Sequence, residues 1–204
     1  MQLEAKNICF GYNKKEGFIL NNIHITFKEG EKIAIVGPSG YGKSTLAKIL
    51  SGYLSPSKGQ VLLDGKPLSH KGVCPVQLIY QHPEKAINPR FRMHQVLAEA
   101  KGLDQALITK IGIEKEWLTR FPRELSGGEL QRFCVARALL PETRFLIADE
   151  MSTMLDVITQ AKLWNVLLEE VKKRNMGLIV ITHNMHLAKK VCDRIIDMRE
   201  INHL

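Results

Sequence analysis

Ile33-Ala34-Ile35-Val36-Gly37-Pro38-Ser39-Gly40-Tyr41-Gly42-Lys43-Ser44-Thr45 runs from an apolar segment through a glycine-rich turn into a helical pattern. Four apolar residues give a short buried strand. Three glycines in the next six residues break it, and a helical pattern begins near Lys43 and runs to about Leu50. The eight residues from Gly37 to Ser44, followed by Thr45, fit the pattern GxxxxGK[ST] in the strand-to-helix context that the pattern requires. Glycine lets the backbone wrap closely enough for its N–H groups to face phosphate oxygens. A helix N-terminus adds positive potential at that point. Lys43 is then the charge for the β- and γ-phosphates, and Ser44 offers a hydroxyl to Mg²⁺. Gly37, Pro38, Ser39, Gly40, Tyr41, Gly42, Lys43, Ser44 and Thr45 are the candidate phosphate-binding residues.

Working outward, residues 3–10 and 19–27 read as two strands, and 61–63 with the Asp64-Gly65 turn as a hairpin-like strand. Further short apolar strands are expected at 76–80, 145–148, 178–181 and 194–198, with helices over 157–174 and 185–191. Strands alternating with helices imply a mostly parallel sheet covered on both faces. The first strands add an antiparallel β part. From about His94 to Leu140 the pattern turns helical, with breaks at Gly102, Gly112 and Phe121-Pro122, and looks like an insertion between two strands. A single domain over 1–204 is expected, with a nucleotide-binding core of 1–84 and 136–204 and a helical block of 85–135.

A magnesium–phosphate site also needs a carboxylate at the end of a neighbouring strand. Phe145-Leu146-Ile147-Ala148-Asp149 supplies it. Asp149 is the expected Mg²⁺ ligand, direct or through water. Glu150, expected on the other side of an extended strand end, is the candidate general base for the attacking water. A bland alternative is an acidic pair that caps the next helix.

Leu125-Ser126-Gly127-Gly128-Glu129-Leu130-Gln131-Arg132 places a serine and two glycines before a helix expected to start near Glu129. This is a second helix N-terminus suited to an anion. One nucleotide needs one cradle, so the resolution is a head-to-tail pair of chains, each completing the other's site. An ordinary N-cap is the alternative for Ser-Gly-Gly alone.

Bulk properties narrow the class. The chain has 204 residues, 45% hydrophobic and 25% charged, which suits a globular domain with its own core. Nothing approaches 18 consecutive apolar residues, and the start MQLEAKNICF lacks the pattern of a secretory signal, so a cytosolic location is expected. Cys9, Cys74, Cys134 and Cys192 show no metal-ligand spacing and read as thiols in a reducing compartment. The net charge of +8 is spread without long basic runs or interleaved aromatics. Solvation and proximity to an anionic membrane surface explain it better than dedicated nucleic-acid binding.

LSGGELQR resembles the signature motif of ABC ATPases, and other motifs of that family follow in order along nearly the whole chain. Tyr12, in Phe10-Gly11-Tyr12, resembles the aromatic residue that stacks on adenine. Gln81, after Leu78-Ile79-Tyr80, resembles the Q-loop glutamine that senses the metal and links the site to a membrane partner. Thr153-Met154-Leu155-Asp156 resembles the D-loop, and Asp156 also suits an N-cap for the next helix. His183, after Ile181-Thr182, resembles the switch histidine at the γ-phosphate. The stretch Gln81-His82-Pro83-Glu84-Lys85-Ala86-Ile87-Asn88-Pro89-Arg90 is similar to the Q-loop extension of peptide and nickel importer ATPases; a Pro-rich surface loop is the alternative.

The resemblance implies a P-loop NTPase of ABC type that binds ATP and Mg²⁺. It implies catalysis by Glu150, His183 and Lys43, metal binding by Ser44, Gln81 and Asp149, and contacts in trans from Ser126, Gly127, Gly128 and Glu129. The implied role is the motor of an importer for peptides or nickel complexes, at the cytoplasmic face of the cell membrane. Implied partners are a second ATPase chain, two membrane permeases and, indirectly, an external solute-binding protein, with no nucleic acid expected. A soluble ABC ATPase acting on nucleic acid or ribosomes is the competing class. The sequence departs from the family pattern at Met151 (usually proline), at Asn184 (usually aspartate) and at Tyr41, where only the backbone is needed. Peptide and nickel importer ATPases also usually continue well past the last strand, whereas the given sequence stops at Leu204.

Overall fold

The computed structural model describes residues 1–13, 17–69, 72–153 and 155–203. Two sheets organise them. The first is antiparallel and contains β1 (Gln2–Phe10), β2 (Leu20–Lys28), β4 (Lys58–Leu63) and β5 (Lys66–Pro67) in the order β2-β1-β4-β5. The second contains β3 (Lys32–Val36), β6 (Val76–Ile79), β7 (Phe145–Asp149), β8 (Gly177–Ile181) and β9 (Arg194–Asp197) in the order β6-β7-β8-β3-β9, with every neighbouring pair parallel. This is the α/β P-loop architecture expected from the strand and helix pattern.

The period of two along each strand divides the parallel sheet between two cores. Phe145, Ile147, Ile179 and Ile181 join Ile33 and Ile35 in a cluster with the antiparallel sheet and with α1 (Lys43–Leu50). Leu146, Ala148, Leu178 and Val180 face a second cluster that holds the buried side of α5 (Val157–Lys173). That cluster also takes in the helices between β6 and β7: α2 (Met93–Ala98), α3 (Gln105–Ile111) and α4 (Gly127–Ala138). Strands covered on both faces read in sequence as continuous apolar runs, as these do.

Most strand ends shift by a residue or so, β4 starts at Lys58 rather than at residue 61, and two shifts have a capping cause. The last strand stops at Asp197, and Met198 opens a short helix, α7 (Met198–Ile201). The Asp197 carboxylate accepts the N–H of Arg199 at 2.9 Å, which starts a helical turn where apolar spacing alone suggested continued strand. The signature helix α4 begins at Gly127 rather than near Glu129, because Ser126 is its cap. The remaining helix, α6 (Met185–Val191), matches expectation.

The register aligns the strand ends. Asp149 lies beside Ile181, Ile181 beside Ile35, Val36 beside Asp197, and Ile79 beside Ala148. The segments after Val36, Ile79, Asp149 and Ile181 therefore all emerge at the carboxyl edge of one parallel sheet, where ligands of such sheets bind.

Candidate functional site

The loop after β3 is held in shape by conformations that side chains rarely adopt. Gly37, Gly40 and Gly42 all have positive φ. Gly42 is the most constrained. Its φ is +85°, and a Cβ there would lie 2.6 Å from Leu20 Cδ2 and 3.1 Å from the Ile19 carbonyl oxygen. Gly42 is also the N-cap of α1 and offers no side-chain acceptor, so the first N–H groups of that helix are left for an anion. Lys43 Nζ donates to the carbonyls of Gly37 and Pro38, each at 2.8 Å, which places the ammonium over the loop. Pro38, Ser39, Tyr41, Ser44 and Thr45 fill the rest of the turn. The Tyr12 and Thr45 hydroxyls are 3.2 Å apart. The Tyr12 ring packs edge-on to Phe10 at 5.0 Å yet stays largely exposed, so its free face is open to a flat ligand beside the loop.

Asp149, at the end of β7, is 5% exposed. Burial raises its carboxyl above the ordinary 3.8, while the Ser44 hydroxyl beside it pulls the other way. Its Oδ1 is buried and has no hydrogen-bond partner among the described residues. A buried carboxylate oxygen without a donor is costly unless a cation takes it. The pair Asp149 and Ser44, hard oxygen donors at a phosphate loop, fits Mg²⁺.

Glu150 corrects the expectation of an extended strand end. Its φ is +48°, in the left-handed region, which a non-glycine residue adopts at a cost of about 1–2 kcal/mol. That backbone turns its side chain toward the end of β8. There Glu150 Oε1 accepts the backbone N–H of His183 at 2.8 Å and meets His183 Nδ1 at 2.7 Å. The structure thus brings Glu150 and His183 into direct contact. The imidazole itself is exposed. The neighbouring Asn184, in place of aspartate, caps α6 through its side-chain oxygen and the N–H of Leu187 at 3.1 Å.

Gln81 follows β6 in a bend and is half-buried. The preceding carbonyl, of Tyr80, accepts a hydrogen bond at 3.2 Å from Gln131 in α4, itself 2% exposed. Arg137 of the same helix donates to the Ala86 carbonyl at 2.7 Å and pairs with Glu99 at 2.9 Å. The stretch 81–90 is therefore tied to α4. It contains a 3-10 turn at Pro83–Lys85 and an Asx turn in which Asn88 Oδ1 accepts the N–H of Arg90 at 3.0 Å.

At the start of α4, Ser126 Oγ accepts the N–H of Glu129 at 3.2 Å, and the Glu129 carboxylate accepts the N–H of Ser126 at 2.7 Å. This reciprocal box leaves Gly127 and Gly128 as the first two helical residues. Glu129 is occupied within its own chain. Gly128 lies against Leu155, since a Cβ there would be 2.8 Å from Leu155 Cδ2. Of the D-loop stretch, Met154 lies outside the described residues. Asp156 caps α5, accepting the N–H groups of Ile158 and Thr159 at 3.0 Å each. Met151, in the usual proline position, is 2% exposed and packs into the core, and the Ser152 hydroxyl accepts from Gln160 and Trp164. Buried packing fixes this turn in place of a proline ring.

Contacts join Tyr12 and Asp149 to the phosphate loop and Glu150 to His183, and both sets lie at the same sheet edge. Ser126 to Glu129 sit instead at the head of α4. Two residues outside the candidate list also touch the site: Gln131, quoted above only as part of the LSGGELQR motif, at the Tyr80 carbonyl, and Met198 of α7, which lies against Gly37.

A family model described as "ABC transporter" matches residues 20–153. Over 97% of its length the chain is 38% identical to the nickel import system ATP-binding protein NikE of Staphylococcus aureus, covering 87% of that protein. It also resembles a dimeric ATP-binding cassette in a post-hydrolysis state bound to ADP and Pi. That match has a TM-score of 0.81 and 25% identity, over 96% of this chain and 93% of the other. CbiO1 from Clostridium perfringens, part of the ABC transporter complex CbiONQ, matches with a TM-score of 0.75 and 27% identity, over 96% and 83% of the two chains.

Proposed function

Because the chain belongs to the ABC transporter ATP-binding family, we propose that it is the ATP-hydrolysing motor subunit of an importer whose cargo is nickel. The observation that carries the motor reading is the junction at one sheet edge of the glycine loop, the buried Asp149 and the Glu150–His183 pair. The cargo reading is supported by the name of the 38% identical relative.

In this reading Gly37 to Thr45 cradle the phosphates through backbone N–H groups, and Lys43 neutralises the β- and γ-phosphate charge. Tyr12 stacks on the base. Ser44, Asp149 and Gln81 are the residues that would hold Mg²⁺, which when bound neutralises phosphate oxygens and aligns them. Glu150 orients and deprotonates the attacking water through Oε2, since its Oε1 is taken by residue 183. His183, exposed beside it, stabilises charge developing on the γ-phosphate. Ser126, Gly127 and Gly128 present a helix N-terminus to the phosphate held by a second ATPase chain, while Glu129 keeps the cap of that helix closed. Asp156 sets the D-loop at the same interface. The γ-phosphate would then favour the paired state, and its loss would release it, as a two-state switch needs.

The block 85–135 moves against the core of 1–84 and 136–204. The tie from Gln131 to the residue before Gln81 supports a shared movement of the Q-loop and the signature helix. Two membrane permeases are the partners at the Q-loop extension, with an external solute-binding protein acting through them. The chain works at the cytoplasmic face of the membrane; no helix among the described residues is long and apolar enough to cross one. The test is uptake of radioactive Ni²⁺ by cells lacking the gene and complemented with the natural chain or with Lys43→Ala. Uptake restored only by the natural chain is expected. Normal nickel uptake without the gene, with loss of peptide uptake instead, would overturn the cargo.

A further inference from the structure

One dense polar contact at the phosphate loop comes from a part of the sequence that carries no motif. Asn202 follows α7 and is 4% exposed. Its Oδ1 accepts the backbone N–H of Asn21 at 2.8 Å. Its Nδ2 donates to the carbonyl of Ile19 at 3.0 Å and to that of Tyr41 at 3.3 Å. An asparagine amide has two N–H donors and one carbonyl acceptor, and here each kind of group is used on main chain. One partner lies in the middle of the phosphate loop, and two lie at the start of β2.

The surroundings hold this amide in place. Asn21 Nδ2 donates to the carbonyl of His203 at 2.6 Å. At the cap of α7, Asp197 accepts the backbone N–H of Arg199 and pairs with its guanidinium Nε at 3.0 and 3.1 Å. Met198 is fully buried against Gly37, since a Cβ at Gly37 would be 3.0 Å from Met198 Cβ. One short helix and the residue after it therefore touch both the first glycine and the midpoint of the loop. On the other side of the same clamp, the Ile19 carbonyl and the Leu20 side chain press on Gly42.

The peptide bond between Tyr41 and Gly42 is planar, so its C=O and N–H point in opposite directions. Fixing the Tyr41 carbonyl against Asn202 fixes the Gly42 N–H toward the opposite side. We propose that Asn202 is a positioning residue for nucleotide binding: by holding the Tyr41 carbonyl to the start of β2, it aims the Gly42 N–H and makes the loop and the strand behind it move as one piece. This rests on the reading of residues 37–45 as the nucleotide cradle.

The test compares the full chain with Asn202→Asp, Asn202→Ala and His203→Ala, titrating each with fluorescent ATP and Mg²⁺ and recording its melting temperature. Asn202→Asp keeps shape and acceptor but loses the donor to Tyr41 and Ile19. His203 contributes only main chain to the clamp, so its variant is the control. Both Asn202 variants should raise Kd about ten-fold, as loss of one buried hydrogen bond would, with the number of sites per folded chain unchanged. His203→Ala should match the natural chain. A merely structural role would lower the binding-competent fraction at constant Kd, and that result overturns the proposal, as does an unchanged Kd in Asn202→Asp. Should Asn202→Ala not fold, Asn202→Asp alone decides between these outcomes. Failure of the natural chain to bind nucleotide would sink the cradle reading itself, which the variants' results cannot imitate.

Discussion

Glu150→Gln separates geometry from chemistry at this site. Glu150 Oε1 receives two contacts from residue 183, at 2.8 and 2.7 Å. A glutamine Oε1 can accept both, and it inherits the same left-handed backbone with φ near +48°. The substitution therefore removes no packing and relieves no strain. What it removes is the negative charge at Oε2, which no donor reaches among the described residues. A positioned general base contributes roughly 10²–10⁴ in rate, which corresponds to about 3–5 kcal/mol of barrier. The expected result is a fall of that size in phosphate release under saturating ATP and Mg²⁺. ATP affinity should stay within about three-fold and the melting temperature within about 2 °C. The variant should also accumulate as an ATP-bound dimer in gel filtration. Hydrolysis within ten-fold of the natural chain would refute the assignment of Glu150 as the base.

Other substitutions test other parts of the site. Gly42→Ala combines a φ of +85° with a Cβ 2.6 Å from Leu20 Cδ2. At least about 1–2 kcal/mol of backbone strain follows, and a melting point lower by several degrees with loss of ATP binding is expected; an alanine variant of natural stability would contradict the loop geometry. Asp149→Asn tests the buried carboxylate. Because its pKa is raised above 3.8 in the fold, the folded chain holds the proton more tightly than the unfolded one. Its stability should then rise as pH falls from neutral through that raised value, the gain levelling off once the unfolded group also protonates near 3.8. The asparagine variant should melt higher than the natural chain at pH 7.5 without nucleotide, lose that pH dependence, and lose the extra stabilisation that Mg²⁺ adds to ATP; a lower melting point would argue against the desolvation cost. Ser126→Ala should lose about 1 kcal/mol of stability as a cap. Ser126→Asp should regain that stability but not ATP-dependent pairing, because it sets a carboxylate against the partner's phosphate; pairing at natural ATP concentrations in Ser126→Asp would contradict the contact in trans.

The parts of the fold that were legible in the sequence are those whose residue type is dictated locally. Residues 33–50 could be read because an apolar strand, positive-φ glycines and a helix start leave little choice. The carboxylate pair at Asp149 and Glu150 was readable as a strand end, but the backbone turn at Glu150 was not. Left-handed φ at a glutamate has no local signature, and here the contact with His183, two residues past the end of β8, holds it. The sequence pattern puts the start of α4 two residues late because glycine has poor helix propensity, and the reciprocal cap between Ser126 and Glu129 overrides that tendency. The end of β9 was missed because Met198 looks like one more apolar strand residue; the Asp197 cap turns the chain there. Asn202 was silent altogether. Its role depends on Ile19, Asn21 and Tyr41, partners about 160 to 180 positions away, and a single asparagine near the end of a chain carries no pattern that would reveal them.

The proposed role of this ATPase is to drive a membrane transporter. The most direct measurement is capture of the tagged chain from detergent-solubilised cells in the presence of ATP, with the bound proteins identified by mass spectrometry. Two integral membrane permeases retained together, and retained better by Glu150→Gln than by Lys43→Ala, is the expected result. Ribosomes or nucleic acid retained with no membrane protein would contradict the claim.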